Sequence, residues 1–358
     1  MASKKTVRQE KVKKVERQKT KGKCEGRTIL GWQGWGFCRL PFAVCLLVLV
    51  GCGQYTAYDH LDQALLAQAQ GDIETALVQM QAAVEIQPQD AYLLRQLGWM
   101  YQQRKEYDAA FVAFQTALKL EPAYVAVYQD LAMLSEEQGD IEGVIGWLES
   151  VVAAVPDYKA SYRDLATFYL RQERFQDARS LLDGVVVRWP EATWAYFRLG
   201  GLYVHLDLPA QAIESFRKVV VLEPVTDIEY ALFVEAHSAL GNVYYDQKNY
   251  DLAIEFFGKA IELNPADHSS MNNLAWVYAT QRTLVEDGIH FSRRSLQLRP
   301  NSPTYLDTLA ELYFISGDVE QAIQIIRQAI AQDPDQPELR AHLRRQLARF
   351  LARGQGRV

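Results

Sequence analysis

The chain has 358 residues, 49% of them hydrophobic and 23% charged, with 21 Gly and 12 Pro, which is the composition of an ordered chain of one or two domains. Its formal charge of −6 is unevenly spread: residues 1–51 hold 12 Lys/Arg against 3 Asp/Glu, and the remainder holds 26 against 41. An acidic body argues against nucleic acid as its ligand. Because all 4 cysteines, Cys24, Cys38, Cys45 and Cys52, precede residue 53 without CxxC spacing, the body can hold neither a disulfide framework nor a Cys-ligated metal.

In chain order, the basic head (residues 1–39) comes first and is followed by an apolar run from Leu40 to Gly53. That run is about 14 residues long, short of the roughly 20 that cross a bilayer core as a helix. It has the length of the h-region of an export signal, with the Lys/Arg cluster on its cytoplasmic side. Its last residues, Leu49-Val50-Gly51-Cys52, resemble the lipobox of bacterial lipoprotein precursors. The resemblance implies diacylglycerol on the Cys52 thiol, cleavage just before it, and a body tethered by several acyl chains. Gly53, in place of the Asp that favours inner-membrane retention, points to the periplasmic face of the outer membrane. The long basic head leaves two alternatives open: an uncleaved signal-anchor that borrows length from Ile29 to Phe37, or a body that stays in the cytosol.

Beyond Cys52 the prolines set the period. Pro88, Pro122, Pro156, Pro190 and Pro224 recur every 34 residues, and Pro265, Pro300 and Pro334 follow at 41, 35 and 34. Such regularity is the signature of a repeat architecture. In "AYLLRQLGWMYQQRKEYDAAFVAFQTALKLEPAY", Ala91 to Tyr124, the residues Leu94, Leu97, Gly98 and Tyr101 form one helical face. Ala110, Phe114 and Ala117 form a second face after the "RKEYD" turn. Apolar spacings of three and four in both halves predict two amphipathic helices packed as a hairpin, with Gly98 and Ala110 letting their backbones approach.

These residues resemble the tetratricopeptide repeat. The resemblance implies an all-α, right-handed α-solenoid of about eight helix-turn-helix units over residues 57–334: 57–90, 91–124, 125–158, 159–192, 193–226, 227–267, 268–302 and 303–336. The first unit is weaker, with Gln63 and Ala67 at usual Leu and Tyr positions, and so is the seventh, with one extra residue near its turn and Gly288 and Ser292 replacing Ala and Phe. In three turns Gly71, Gly139 and Gly317 suit a left-handed helix end, and Asp72, Asp140 and Asp318 suit a cap on the next helix. The seven-residue excess between Pro224 and Leu240 fits either two added helical turns or a loop. Residues 335–354, with Leu339, Leu343, Leu347, Phe350 and Leu351 on one face, predict a capping helix over the last unit. A basic amphipathic helix on an anionic surface is the rival reading of that segment.

No catalytic constellation appears. The six histidines are scattered, and there is no HExxH pair, phosphate loop, GxGxxG or GxSxG. No enzyme activity, metal, cofactor or small-molecule substrate is expected. Function then belongs to the concave wall, which in this family is lined by first-helix positions 2, 5, 9 and 12. Transferred unit by unit, these give Tyr92, Arg95, Trp99, Arg163, Trp194, Phe197, Asn242, Tyr245, Asn272 and Trp276 as a groove for protein or peptide partners of an envelope assembly. Inter-repeat packing is the competing role for each of them. As exposed positions, Arg95 and Trp99 are expected to cost little stability when truncated.

Overall fold

The computed structural model describes residues 56–356; the basic head, the apolar run and Cys52 lie outside the described residues. Seventeen α-helices follow one another, with no strand among the described residues. The first four pairs are α1 (Ala57–Ala69) with α2 (Ile73–Ile86), α3 (Ala91–Gln103) with α4 (Tyr107–Leu120), α5 (Val125–Glu137) with α6 (Ile141–Ala154), and α7 (Lys159–Arg171) with α8 (Phe175–Arg188). Then come α9 (Thr193–His205) with α10 (Pro209–Val221), α11 (Asp227–Asp246) with α12 (Tyr250–Leu263), α13 (His268–Gln281) with α14 (Val285–Leu298), and α15 (Pro303–Ser316) with α16 (Val319–Ala331). A last helix, α17 (Pro337–Gln355), packs on α16. Each helix touches chiefly its chain neighbours, and first helices of successive units also touch, so the body is an all-α repeat solenoid.

Three of the hairpins close where glycine meets phenylalanine. A Cβ at Gly98 would lie 2.5 Å from the Phe114 ring, one at Gly200 2.5 Å from Phe216, and one at Gly241 2.6 Å from Phe257. The three rings are essentially buried and fill the gap that each missing side chain leaves. Six of the units end by one device as well. Gln87, Glu121, Val155, Trp189, Asn264 and Arg299 each close a second helix one residue before a proline, which pushes its predecessor out of helical geometry.

Within the hairpins, Gly71, Gly139 and Gly317 are left-handed, with φ of 80°, 74° and 93°. Asp72, Asp140 and Asp318 accept from the backbone N–H of Thr75, Gly143 and Gln321. Four other turns hold the same left-handed geometry with Lys105, Glu173, Asp207 and Lys248. In the seventh unit the extra residue gives a turn with both Arg282 and Leu284 at positive φ.

The seven-residue excess is helical: α11 has 20 residues where the other first helices have 13 or 14. Its start is a capping box, in which Thr226 Oγ1 accepts from the Glu229 N–H at 3.1 Å and the Glu229 carboxylate accepts from the Thr226 N–H at 3.0 Å. At the other end of the array, α17 buries Leu343 and Phe350 completely and stacks Phe350 on Phe314 with ring centroids 4.5 Å apart. His342 Nε2 lies 2.9 Å from Asp307 Oδ2, and Arg349 pairs with Glu311, so α17 covers the last apolar face by packing and by polar contacts. No helix of the described residues is long and apolar enough to cross a membrane.

Candidate functional site

The odd-numbered helices from α1 to α15 form one wall, and side chains about 35 residues apart join across it. Arg95 of α3 donates to Asp130 of α5 at 2.5 and 3.2 Å, Gln102 donates to Glu137 at 2.8 Å, and Arg171 pairs with Glu136 at 2.6 Å. Farther along, Asn273 Nδ2 donates to Asn242 Oδ1 at 2.9 Å, and Trp276 Nε1 donates to the Tyr245 hydroxyl at 2.7 Å. One repeat period therefore appears as a ladder of contacts between neighbouring first helices.

That ladder sorts the residues expected to line the groove. Tyr92 and Trp99 are exposed on α3, at 40% and 39%, with the Arg95 guanidinium 4.8 Å from the Trp99 ring centroid. Arg95 is committed to Asp130, which is almost fully buried, and this hydrogen-bonded pair raises the Arg95 pKa further. Arg163 is exposed on α7, and Asn242 is exposed on α11. Trp194 and Phe197 are half-buried and pack against the core, Phe197 edge-on to Phe216 at 5.6 Å. Tyr245 and Trp276 are half-buried partners of each other. Asn272 departs from expectation: it is buried, its Oδ1 has no hydrogen-bond partner, and the amide that reaches the wall is its neighbour Asn273.

Among the open grooves of the surface, two of about 560 Å³ each indent the wall. The first lies over units three to five and is lined by Met133, Val144, Leu148 and Phe168 together with Arg163, Arg171 and Arg198 and the carboxylates Glu136 and Asp164. The second lies between the inserted turns of α11 and the start of α13. Asp227, Glu235 and Asp267 line it beside Ser238, Asn242 and Asn264, with no Lys or Arg in the lining, and Tyr230 donates to the Leu263 carbonyl at 3.1 Å across its base.

Met133 and Arg198 line the wall as well, outside the set of residues expected there. Met133 stands 34 residues after Trp99, so the same register finds it. Arg198 follows Phe197 by one residue, as Asp130 follows Gln129, which shows the wall to be one residue wider than positions 2, 5, 9 and 12. No group of three or more His, Cys, Asp or Glu is placed to hold a metal among the described residues.

Tetratricopeptide repeat models match residues 61–124 and 163–224, residues 101–167, residues 234–267 and residues 303–350. Between residues 61 and 350 they pass over only the inserted turns and the irregular seventh unit. Among curated proteins the chain is 30% identical over 89 residues to BBSome complex member BBS4 of Bos taurus, covering 24% of this chain and 16% of that protein. It is 28% identical over 109 residues to small glutamine-rich tetratricopeptide repeat-containing protein 2 of Mycosarcoma maydis, covering 30% and 31%. The chain thus matches less than a third of the length of either relative.

Among solved structures it is similar to pilF of Pseudomonas aeruginosa, with a TM-score of 0.45, 18% identity, and 62% and 97% of the two chains covered. It is also similar to YrrB, described as a TPR protein with an unusual peptide-binding site, with a TM-score of 0.45, 17% identity, and 55% and 97% covered. From the glycine-to-phenylalanine closure of its hairpins, its proline-terminated units and the four sets of matching segments, the chain belongs to the tetratricopeptide repeat family.

Proposed function

We propose that this protein is a non-catalytic protein–protein interaction scaffold anchored at the bacterial cell envelope, binding extended protein segments along its first-helix wall. The observation that carries the binding reading is a pair of large apolar side chains left open at one register: Trp99 at 39% exposure and Met133, 34 residues later, at 56%. Apolar surface that is held open beside a groove by rigid helices is suited to a partner's side chains. Leu49-Val50-Gly51-Cys52 supports the anchoring, with lipid on Cys52 and the periplasmic face of the outer membrane as the site of action.

The test is expression of the full chain in a Gram-negative host beside Cys52→Ala, with intact mass, acyl-chain labelling and membrane fractionation. Loss of residues 1–51 and gain of lipid in the wild type alone is the expected result. A wild type that keeps its head and carries no lipid would instead make the protein a signal-anchored or cytosolic regulatory scaffold with a basic tail. A photo-crosslinker at Trp99 or Met133 in the same cells should capture a protein partner, and failure at both positions would remove the wall from the binding reading.

A further inference from the structure

The arginines of the wall are not equivalent. Arg95 is spent on Asp130 and Arg171 on Glu136, whereas Arg163 and Arg198 are exposed and make no ion pair among the described residues. Both line the groove over units three to five, where Met133 and Phe168 supply apolar surface. We infer that this groove is a docking site for a partner segment in which a large apolar side chain is flanked by Asp or Glu. The inference rests on the scaffold reading above and names the chemistry of its partner.

Three observations support that chemistry. Arg163 and Arg198 line the groove beside its apolar side chains and can donate to carboxylates; of the two carboxylates in the lining, Glu136 is paired with Arg171, which leaves Asp164 against two unpaired guanidiniums. The body as a whole holds 26 Lys/Arg against 41 Asp/Glu, so two guanidiniums without an ion pair beside one apolar groove offer an acidic segment complementary charge on a predominantly acidic body. The second groove, lined by Asp227, Glu235 and Asp267 and by no Lys or Arg, disfavours the same segment there. The basic head of the chain itself has the wrong sign to occupy the site.

The test uses a display library of random octapeptides selected on the full chain, on an Arg163→Ala/Arg198→Ala double variant and on Met133→Arg. Neither arginine is tied into the ladder, so circular dichroism melts of the double variant should match the wild type. The wild type should enrich peptides with an apolar residue between Asp or Glu, and a synthetic winner should bind at least about tenfold more weakly to the double variant and lose affinity as salt rises. Enrichment of neutral or basic peptides that Met133→Arg abolishes would overturn the charge assignment while leaving the groove as a binding site. Failure to enrich any peptide over the bare support would overturn both this inference and the scaffold reading of the wall.

Discussion

Arg95 and Asp130 sit 35 residues apart and are joined by two hydrogen bonds, at 2.5 and 3.2 Å, with the Asp130 side chain almost fully buried and the Arg95 side chain only 18% exposed. Arg95 is therefore a tie between the second and third units, contrary to the expectation that its truncation costs little. Arg95→Ala strands Asp130 without its partner and should cost about 2 kcal/mol in denaturant unfolding. Trp99→Ala, which removes a half-open ring and one cation–π contact, should cost less than about 1 kcal/mol. Equal, negligible losses for both would show that the pair is not structural.

The closure of the hairpins makes a sharper demand. Gly98→Ala puts a methyl 2.5 Å from the Phe114 ring, which is buried and has no room to retreat, and should destabilise by about 1–3 kcal/mol. Phe114→Leu in the same chain should recover part of that loss. Simple addition of the two effects in a double-mutant cycle would mean that the contact does not set the helix spacing.

Lys105 holds a φ of 61° in a turn where other units place glycine. A left-handed Lys carries a steric cost that glycine lacks, partly offset by the freedom that glycine adds to the unfolded chain. Lys105→Gly should raise stability by about 0.5–1 kcal/mol, whereas Gly71→Ala, at φ 80°, should lower it by about 1 kcal/mol. Matched thermal melts of the two variants check both signs.

His237 is buried between Phe233 and Phe256, and its Nδ1 is 2.8 Å from the Phe233 carbonyl. Burial lowers its pKa, with the backbone hydrogen bond opposing. A lowered folded pKa means that the unfolded chain takes up the proton more readily, so the contribution is fully present above the unfolded value near 6.5 and is lost as pH falls through the folded one. The melting temperature should decline on acidification below about pH 6.5, and His237→Gln should flatten that part of the curve. An unchanged slope in the variant would assign the acid sensitivity to other groups.

The inserted turns of α11 depend on a local signal. Thr226→Ala removes one half of the capping box and should cost about 1 kcal/mol. It should also speed amide exchange at the start of α11 before the rest of the helix. Uniform exchange along the helix would show that packing, not the cap, holds those turns.

The repeat period, the left-handed turns at Gly71, Gly139 and Gly317 and the all-α class were legible because each is a local pattern restated at fixed spacing, whereas the sequence set Gly98 against Ala110 and only the packing brings the Phe114 ring onto it. The seven-residue excess fitted either added helical turns or a loop, and the capping box of Thr226 and Glu229, three residues apart, is what decides for the helix. What the sequence by itself could not decide was the use of each wall position. Arg95 and Arg163 occupy the same place in their units, yet one is spent on Asp130 and the other has no ion pair among the described residues. Asn272 and Asn273 are adjacent amides, and only the packing of α13 on its neighbours determines which is buried. A helical period assigns a side chain to a face. Whether that face is covered, tied to the next unit or left open depends on contacts between residues some 35 positions apart, and those contacts exist only once the units are stacked.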